Sequence, residues 1–225
     1  MLQELSDFMY DLSEKRTLRR FQGMIRAGIE RCEPRYRPIT QLQPFPPGSI
    51  EYAHVARYEF ALERIGGRVL NAACGSGYGN AILGRRALPV GVDLYDAPLE
   101  LARKHFPVGE YHQGNVLELG FPADSFDAVV SFETVEHVSD PHRACEEFKR
   151  VLKPGGDFVG SLPVMVFHNP GTNFTWNAAR SLLNEHFPGA QYFLQDNWRI
   201  AAASDVRWRR IRRQKDKFIV LHWRK

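Results

Sequence analysis

A chain of 225 residues, 44% of them apolar, can bury one sizeable core, and one domain preceded by an N-terminal extension is the expected organisation. The sequence has no run of about 18 uncharged apolar residues, and its start, MLQELSDFMYDLSEK, is acidic and amphipathic rather than basic and then apolar, so a membrane span and a secretory leader are not expected and the protein is read as soluble and cytoplasmic. The formal charge of +4 is modest but uneven, because RWRRIRRQKDK at 207–217 holds seven of the thirty basic residues.

Up to about residue 40 the apolar residues recur at helical spacing, first Leu5, Phe8, Met9 and Leu12, then Leu18, Phe21, Met24, Ile25 and Ile29. The stretch EPRYRPITQLQPFPPGS (33–49) breaks that pattern, since each proline fixes φ and biases its predecessor away from helix. Residues 1–49 are therefore expected to form a helical segment and linker acting as a lid, and residues 50–225 the main domain. A helix is expected in IEYAHVARYEFALERI from Ile50, stopped by Gly66-Gly67. Apolar runs suited to buried parallel strands follow at 68–73, 88–93, 126–132 and 156–163, with a weaker one at 109–114. Helices fill the gaps. Asp96 is expected to cap one carrying Leu99, Ala102 and Phe106; Asp140-Pro141 starts another with Ala144, Cys145, Phe148, Val151 and Leu152 inward; Thr175 caps a third with Trp176, Ala179, Leu183 and Phe187 inward. The last two strand candidates, 190–195 and 217–223, have no strong helix between them and read as an antiparallel pair. Regular alternation of strand and helix implies a doubly wound, mostly parallel α/β sheet covered on both faces. The three cysteines, Cys32, Cys74 and Cys145, lack zinc or redox spacing and fit a reducing compartment.

The first strand leads into NAACGSGYG, with glycines at 75, 77 and 79. In a doubly wound sheet ligands sit beyond the carboxyl ends of the strands, and a turn of this kind lies at that edge. A nicotinamide fingerprint, G-x-G-x-x-G, would need its third glycine where Asn80 stands, so an oxidoreductase is the least favoured reading. Asp93 closes the second strand and is placed to accept both hydroxyls of a ribose.

VLNAACGSGYG, then VGVDL, then GNV, then FDAVVSFETVEHV and RVLKPGGDFVGSLP, in that order and at ordinary spacings over roughly residues 50–195, together resemble the class I S-adenosylmethionine-dependent methyltransferases. The resemblance implies a Rossmann-like, seven-stranded sheet whose last strand inserts between the fifth and sixth. It also implies S-adenosylmethionine as methyl donor. Its methionine part would lie on the turn of Asn71, Ala73, Gly75, Gly77 and Tyr78, with helix-start N–H groups on its carboxylate, its ribose on Asp93, its adenine between Leu94 and the pair Asn115-Val116, and Phe132 and Arg57 nearby. The family usually has acids at the positions of Asn71 and often of Asn115. The amides keep hydrogen-bonding capacity but lose the charge, which leaves a non-catalytic cofactor-binding subunit as one reading.

Methyl transfer to a hydroxyl needs alignment and a proton acceptor. At the end of the fourth strand, Glu133, Glu136 and His137 supply carboxylates and a base of near-neutral pKa. The same E-x-x-E-H spacing resembles ubiquinone-pathway and small-RNA methyltransferases, where it binds a divalent ion; here a structural role for the loop is preferred and no metal ligand is assigned. His54 and Arg57 either close over the methionine carboxylate or the acceptor, or form a solvated face paired with Glu51 or Glu59. His168 and Asn169 are further acceptor-contact candidates. The arginines from Arg207 to Arg213, with Trp198 and Trp208, are either a soluble loop or a rim for an anionic acceptor or RNA. HVARY and ACGSGYG resemble bacterial enzymes that tailor glycans or secondary metabolites, and O-methylation of such a polar acceptor is the expected function, with an RNA or nucleotide methyltransferase as the alternative.

Overall fold

The computed structural model describes residues 39–46, 49–163, 176–196, 199–202 and 217–225. The chain divides into two units, Met1–Arg37 and Pro38–Lys225. The first unit lies outside the described residues, and with it most of the segment 1–49 expected to act as a lid, as do His168, Asn169, Thr175, Trp198 and residues 207–216 of the basic run. The division falls earlier than the expected 49/50 boundary. Ile39, only 3% exposed, already packs in the core of the second unit.

In chain order the elements are α1 (Ile50–Leu62), β1 (Gly67–Ala72), α2 (Tyr78–Leu83), β2 (Ala87–Asp93), α3 (Asp96–His105), β3 (Glu110–Gln113), β4 (Phe126–Phe132), α4 (Pro141–Val151), β5 (Leu152–Pro163), α5 (Trp176–His186), β6 (Gln191–Asp196), β7 (Arg199–Ala202) and β8 (Lys217–Arg224). Among the described residues they build an eight-stranded sheet in the order β3-β2-β1-β4-β5-β8-β6-β7. The first five strands are mutually parallel. β8 slots antiparallel between β5 and β6. The expected count of seven is corrected by β7, which turns back from β6 as an antiparallel hairpin arm at the sheet edge. Its four residues RIAA carry too short a pattern to read as a strand from sequence.

Strand alternation creates two cores. In β1, Leu70 and Ala72 face one cluster and Val69 the other; in β4, Phe126 and Val129 face the first, Ala128 and Val130 the second. α4 and α5 cover the first face through Ala144, Cys145, Phe148, Val151, Ala179, Leu182, Leu183 and Phe187. α1 and α2 cover the second through Tyr58, Ala61, Leu62, Tyr78, Ile82 and Leu83. Each such large apolar side chain contributes roughly 1.5–3 kcal/mol on burial.

Local signals set the helix ends. Ser49 caps α1 by accepting from Tyr52 N at 3.1 Å, and Asp140 caps α4 by accepting from Arg143 N at 3.0 Å with Pro141 beside it. α1 stops at Leu62, earlier than the glycine pair suggested, because the chain must already turn to enter β1 at Gly67. Asp96 is the first residue of α3 rather than its cap; Tyr95 takes that place, its N–H held by Asp93.

Candidate functional site

The carboxyl ends of β1, β2 and β4 lie side by side, with Ala72 opposite Ser131 and, on the other side, Val92. The chain leaving β1 makes a turn in which Ala73, Gly75 and Gly77 all have positive φ, at 57°, 54° and 82°. The left-handed positions are thus 73, 75 and 77, not the three glycines themselves. The three glycines are there for different reasons. Among the described residues a Cβ on Gly75 would meet nothing within 4 Å, so the described structure leaves this side of the turn open. A Cβ on Gly79, by contrast, would lie 2.3 Å from the ring of Tyr58, so Gly79 lets α2 approach α1 and has no ligand to accommodate. At Gly77 the neighbours are Ala102 and the Tyr111 hydroxyl, again the protein itself.

Asp93, 5% exposed, clamps this turn from the next strand. Its Oδ2 accepts from Gly75 N at 2.9 Å and its Oδ1 from Tyr95 N at 3.2 Å. The Leu94 N–H is a third backbone donor, and the carboxylate keeps acceptor capacity beyond these three. Burial raises its pKa and the backbone donors oppose that rise. Leu94 beside it is an exposed large apolar residue at 38%, while its carbonyl accepts from Gln113 Nε2 at 3.1 Å. Ser76 Oγ donates to Ile39 O at 2.7 Å and so ties the residues before α1 to the turn.

Other expected cofactor contacts sit differently. Asn71 is fully buried behind the turn: its Oδ1 accepts from Tyr58 OH at 3.1 Å and its Nδ2 donates to Asn80 Oδ1 at 2.9 Å. This amide serves both as acceptor and as donor, which a carboxylate could not, and so links α1, β1 and α2 behind the turn. Val116 is buried in the first core cluster, and Asn115 spends its Oδ1 on Leu117 N at 2.9 Å. Tyr78 is also buried; its hydroxyl meets His54 Nδ1 at 3.0 Å, and its ring meets that of Tyr58 edge-on, as does Phe132.

At the end of β4 the three acidic and basic candidates separate. Glu133, at φ 50°, is taken by α1: Arg57 Nη1 pairs with its Oε1, and His54 Nε2 lies 3.3 Å from the same oxygen. Arg57 is 1% exposed and lies 4.2 Å over the Phe218 ring, its Nη1 also 3.4 Å from Ser161 Oγ. The reading of Arg57 as part of a solvated face does not hold, since it is buried and pairs with Glu133, while Glu59 pairs with Arg85. Burial opposes ionisation of Glu133, but Arg57 and His54 outweigh it and hold its pKa low. Burial drives His54 down to about 4, with the pull of Glu133 only partly opposing it, so this imidazole is neutral near pH 7.

Glu136 and His137 remain. Burial, then the Glu133 charge, pushes Glu136 well above the carboxylate range, which favours its protonated, uncharged form. Burial likewise lowers His137, leaving a neutral ring able to accept a proton. Its Nε2 is 4.0 Å from Glu136 Oε1. Among the described residues, Glu133, Glu136 and His137 do not fall in a group of three whose donor atoms all lie within 4.8 Å of one another. Four buried polar atoms here, Arg57 Nη2, Ser131 Oγ, Glu136 Oε2 and His137 Nδ1, have no partner among the described residues. Buried groups are ordinarily satisfied, so their concentration at one strand end marks a place built to receive polar atoms from elsewhere.

Sequence reasoning missed Ser131 and Ser161, which stand in neighbouring strands, Phe132 pairing with Ser161 and Ser131 with Gly160. The available signal was one small polar residue near the carboxyl end of each of two apolar runs. Among the described residues no helix is long and apolar enough to cross a membrane.

A family model described as a methyltransferase domain matches residues 70–160. A Mycolicibacterium smegmatis protein named "probable S-adenosylmethionine-dependent methyltransferase" is 34% identical over 146 residues, 62% of this chain and 57% of that protein. A ubiquinone biosynthesis O-methyltransferase of Hahella chejuensis is 33% identical over 160 residues, 67% of this chain and 61% of its own length. The chain thus spans little more than half the length of these curated relatives. The crystal structure of an S-adenosylmethionine-dependent methyltransferase from Thermotoga maritima superposes with a TM-score of 0.60 at 20% identity, over 78% of this chain and 90% of that one, a likeness of fold.

Proposed function

Because the chain belongs to the class I S-adenosylmethionine-dependent methyltransferase family, we propose that it methylates a hydroxyl of a small or medium polar acceptor of glycan, sugar or secondary-metabolite type. S-adenosylmethionine, when bound, supplies an electrophilic methyl on a sulfonium, open to in-line displacement. Asp93 holds the ribose diol with the acceptor capacity left over from the backbone N–H groups of Gly75, Leu94 and Tyr95, and the Leu94 side chain offers the adenine an apolar face. The open side of Gly75 receives the amino-acid end. Neutral His137 takes the acceptor proton, and uncharged Glu136 presents a hydrogen bond beside it. Arg57 and Glu133, being paired, fix α1 against β4 and shape the acceptor side of the crevice. The O-methyltransferase relative supports a hydroxyl acceptor. Asn71, satisfied inside the fold, needs no charge to do its work, which weakens the reading of a non-catalytic subunit.

The single observation behind this reading is Asp93 closing β2 with unused acceptor capacity next to the open side of Gly75. Calorimetric titration with S-adenosylhomocysteine tests it. Micromolar binding is expected for the wild type and at least about tenfold weaker binding for Asp93→Ala, equal to a loss of about 1.4 kcal/mol. No saturable binding to the wild type sinks the proposal. His137→Asn should leave that binding intact while lowering methyl transfer to polar hydroxyl compounds by about a hundredfold or more.

A further inference from the structure

Away from the carboxyl edge, where α4 meets α5, two imidazoles point at one another. His142 Nδ1 and His186 Nε2 are 2.9 Å apart. Glu185 Oε1 completes a triangle, 3.5 Å from His142 Nδ1 and 3.9 Å from His186 Nε2. His186 is buried to 5% exposure, whereas His142 and Glu185 are exposed. Its other nitrogen, Nδ1, is buried with no partner among the described residues. Two ring nitrogens at that separation share either a proton or a cation. Sharing a proton fixes the tautomer so that one ring must donate to the other. A cation uses the lone pairs of both and leaves the remaining N–H of each ring free of that constraint.

We propose that His142, Glu185 and His186 form a binding site for a borderline divalent transition metal, zinc above all, that clamps α4 to α5. The donor set of two imidazoles and a carboxylate suits zinc, cobalt, nickel or copper far better than magnesium or calcium. An ion about 2.05 Å from both nitrogens subtends about 90° between them, and opening toward a tetrahedral angle needs the rings to part by only a few tenths of an ångström. Two of the three ligands are exposed, so the ion has a path in from solvent and room for water at the remaining position. The surroundings are compatible with a neutral ligand and a cation. Burial, followed by Lys149 and His142, disfavours the protonated form of His186, while Glu185 and Glu146 act in the opposite direction. Against the one ammonium of Lys149, those two carboxylates supply negative charge. None of these residues belongs to the proposed methyl-transfer site.

The test uses the full chain without a histidine tag, stripped with chelator. Titration with Co²⁺ followed by visible absorption, and with Zn²⁺ by calorimetry, is expected to show one saturable equivalent in the wild type and a rise in Tm of several degrees. His142→Ala and Glu185→Ala, both at exposed positions and expected to fold, should each weaken binding at least tenfold and abolish the Tm rise. Absence of saturable uptake by the wild type overturns the proposal, as does a His142→Ala variant that binds within tenfold of it. S-adenosylhomocysteine binding by the same variants confirms that they are folded.

Discussion

Glu133 and Glu136 are three residues apart, yet the fold shifts the titration of their carboxyls in opposite directions. Arg57 and His54 hold Glu133 ionised against the cost of burial, whereas Glu136 is deeply buried, has one oxygen without a partner among the described residues, and feels the Glu133 charge. Linkage then has a definite sign. The folded-state pKa of Glu136 lies above its ordinary value of 4.5, so the stability it confers as a neutral acid is complete below that value and is lost as pH climbs from there through the raised folded value. Glu136→Gln removes this loss. Its Tm relative to wild type should rise as pH climbs above that ordinary value, by about 2–4 °C for each kcal/mol recovered in a domain of this size. A Tm difference that stays flat with pH contradicts the neutral acid. For Glu133 the sign is reversed: its lowered pKa stabilises the fold above the ordinary carboxylate value, and that contribution fades on acidification.

At the scale of elements, the fit of α1 against α2 packs directly behind the turn. Tyr58 reaches from α1 to Asn71 in β1, Asn71 reaches Asn80 in α2, and the Tyr58 ring fills the space above Gly79. Gly79→Ala would improve helix propensity by nearly 1 kcal/mol but would drive a methyl group into that ring. Destabilisation of about 1–3 kcal/mol is expected instead, read from urea unfolding. An unchanged or raised midpoint shows that α1 can move away. The buried pair at the other face of α1 is the second anchor. Removing its cation with Arg57→Ala leaves Glu133 beside a void, and a loss of about 3–5 kcal/mol is expected in the same measurement, because the pair is shielded even though Glu133 keeps some exposure.

At the scale of the whole molecule, β8 joins distant parts of the chain. It sits between β5 and β6, sends Ile219 and Leu221 into one core and Val220 into the other, and is followed by Lys225, whose Nζ donates to Asp124, Lys149 O and Leu152 O. Leu221→Ala should therefore cost about 2–5 kcal/mol, as a central core position does and an edge strand does not, with the chemical-denaturation midpoint as the readout. The alternation of buried strands and amphipathic helices, the cap at Asp140 and the antiparallel final pair were legible in the sequence because each depends on neighbours a few residues away. The acid closing β2 and the glycine turn were legible for the same reason. What residues 73, 75, 77 and 79 each accommodate was not, since the neighbour of Gly79 is Tyr58 and the partner of Gly75 is Asp93, contributed by other elements. Likewise, E-x-x-E-H fixes only the order of three side chains. Which carboxyl is charged, and which polar atoms are left open at the end of β4, is decided by the packing of α1 and the burial it imposes, because protonation and hydrogen bonding respond to distance through space and not to separation along the chain.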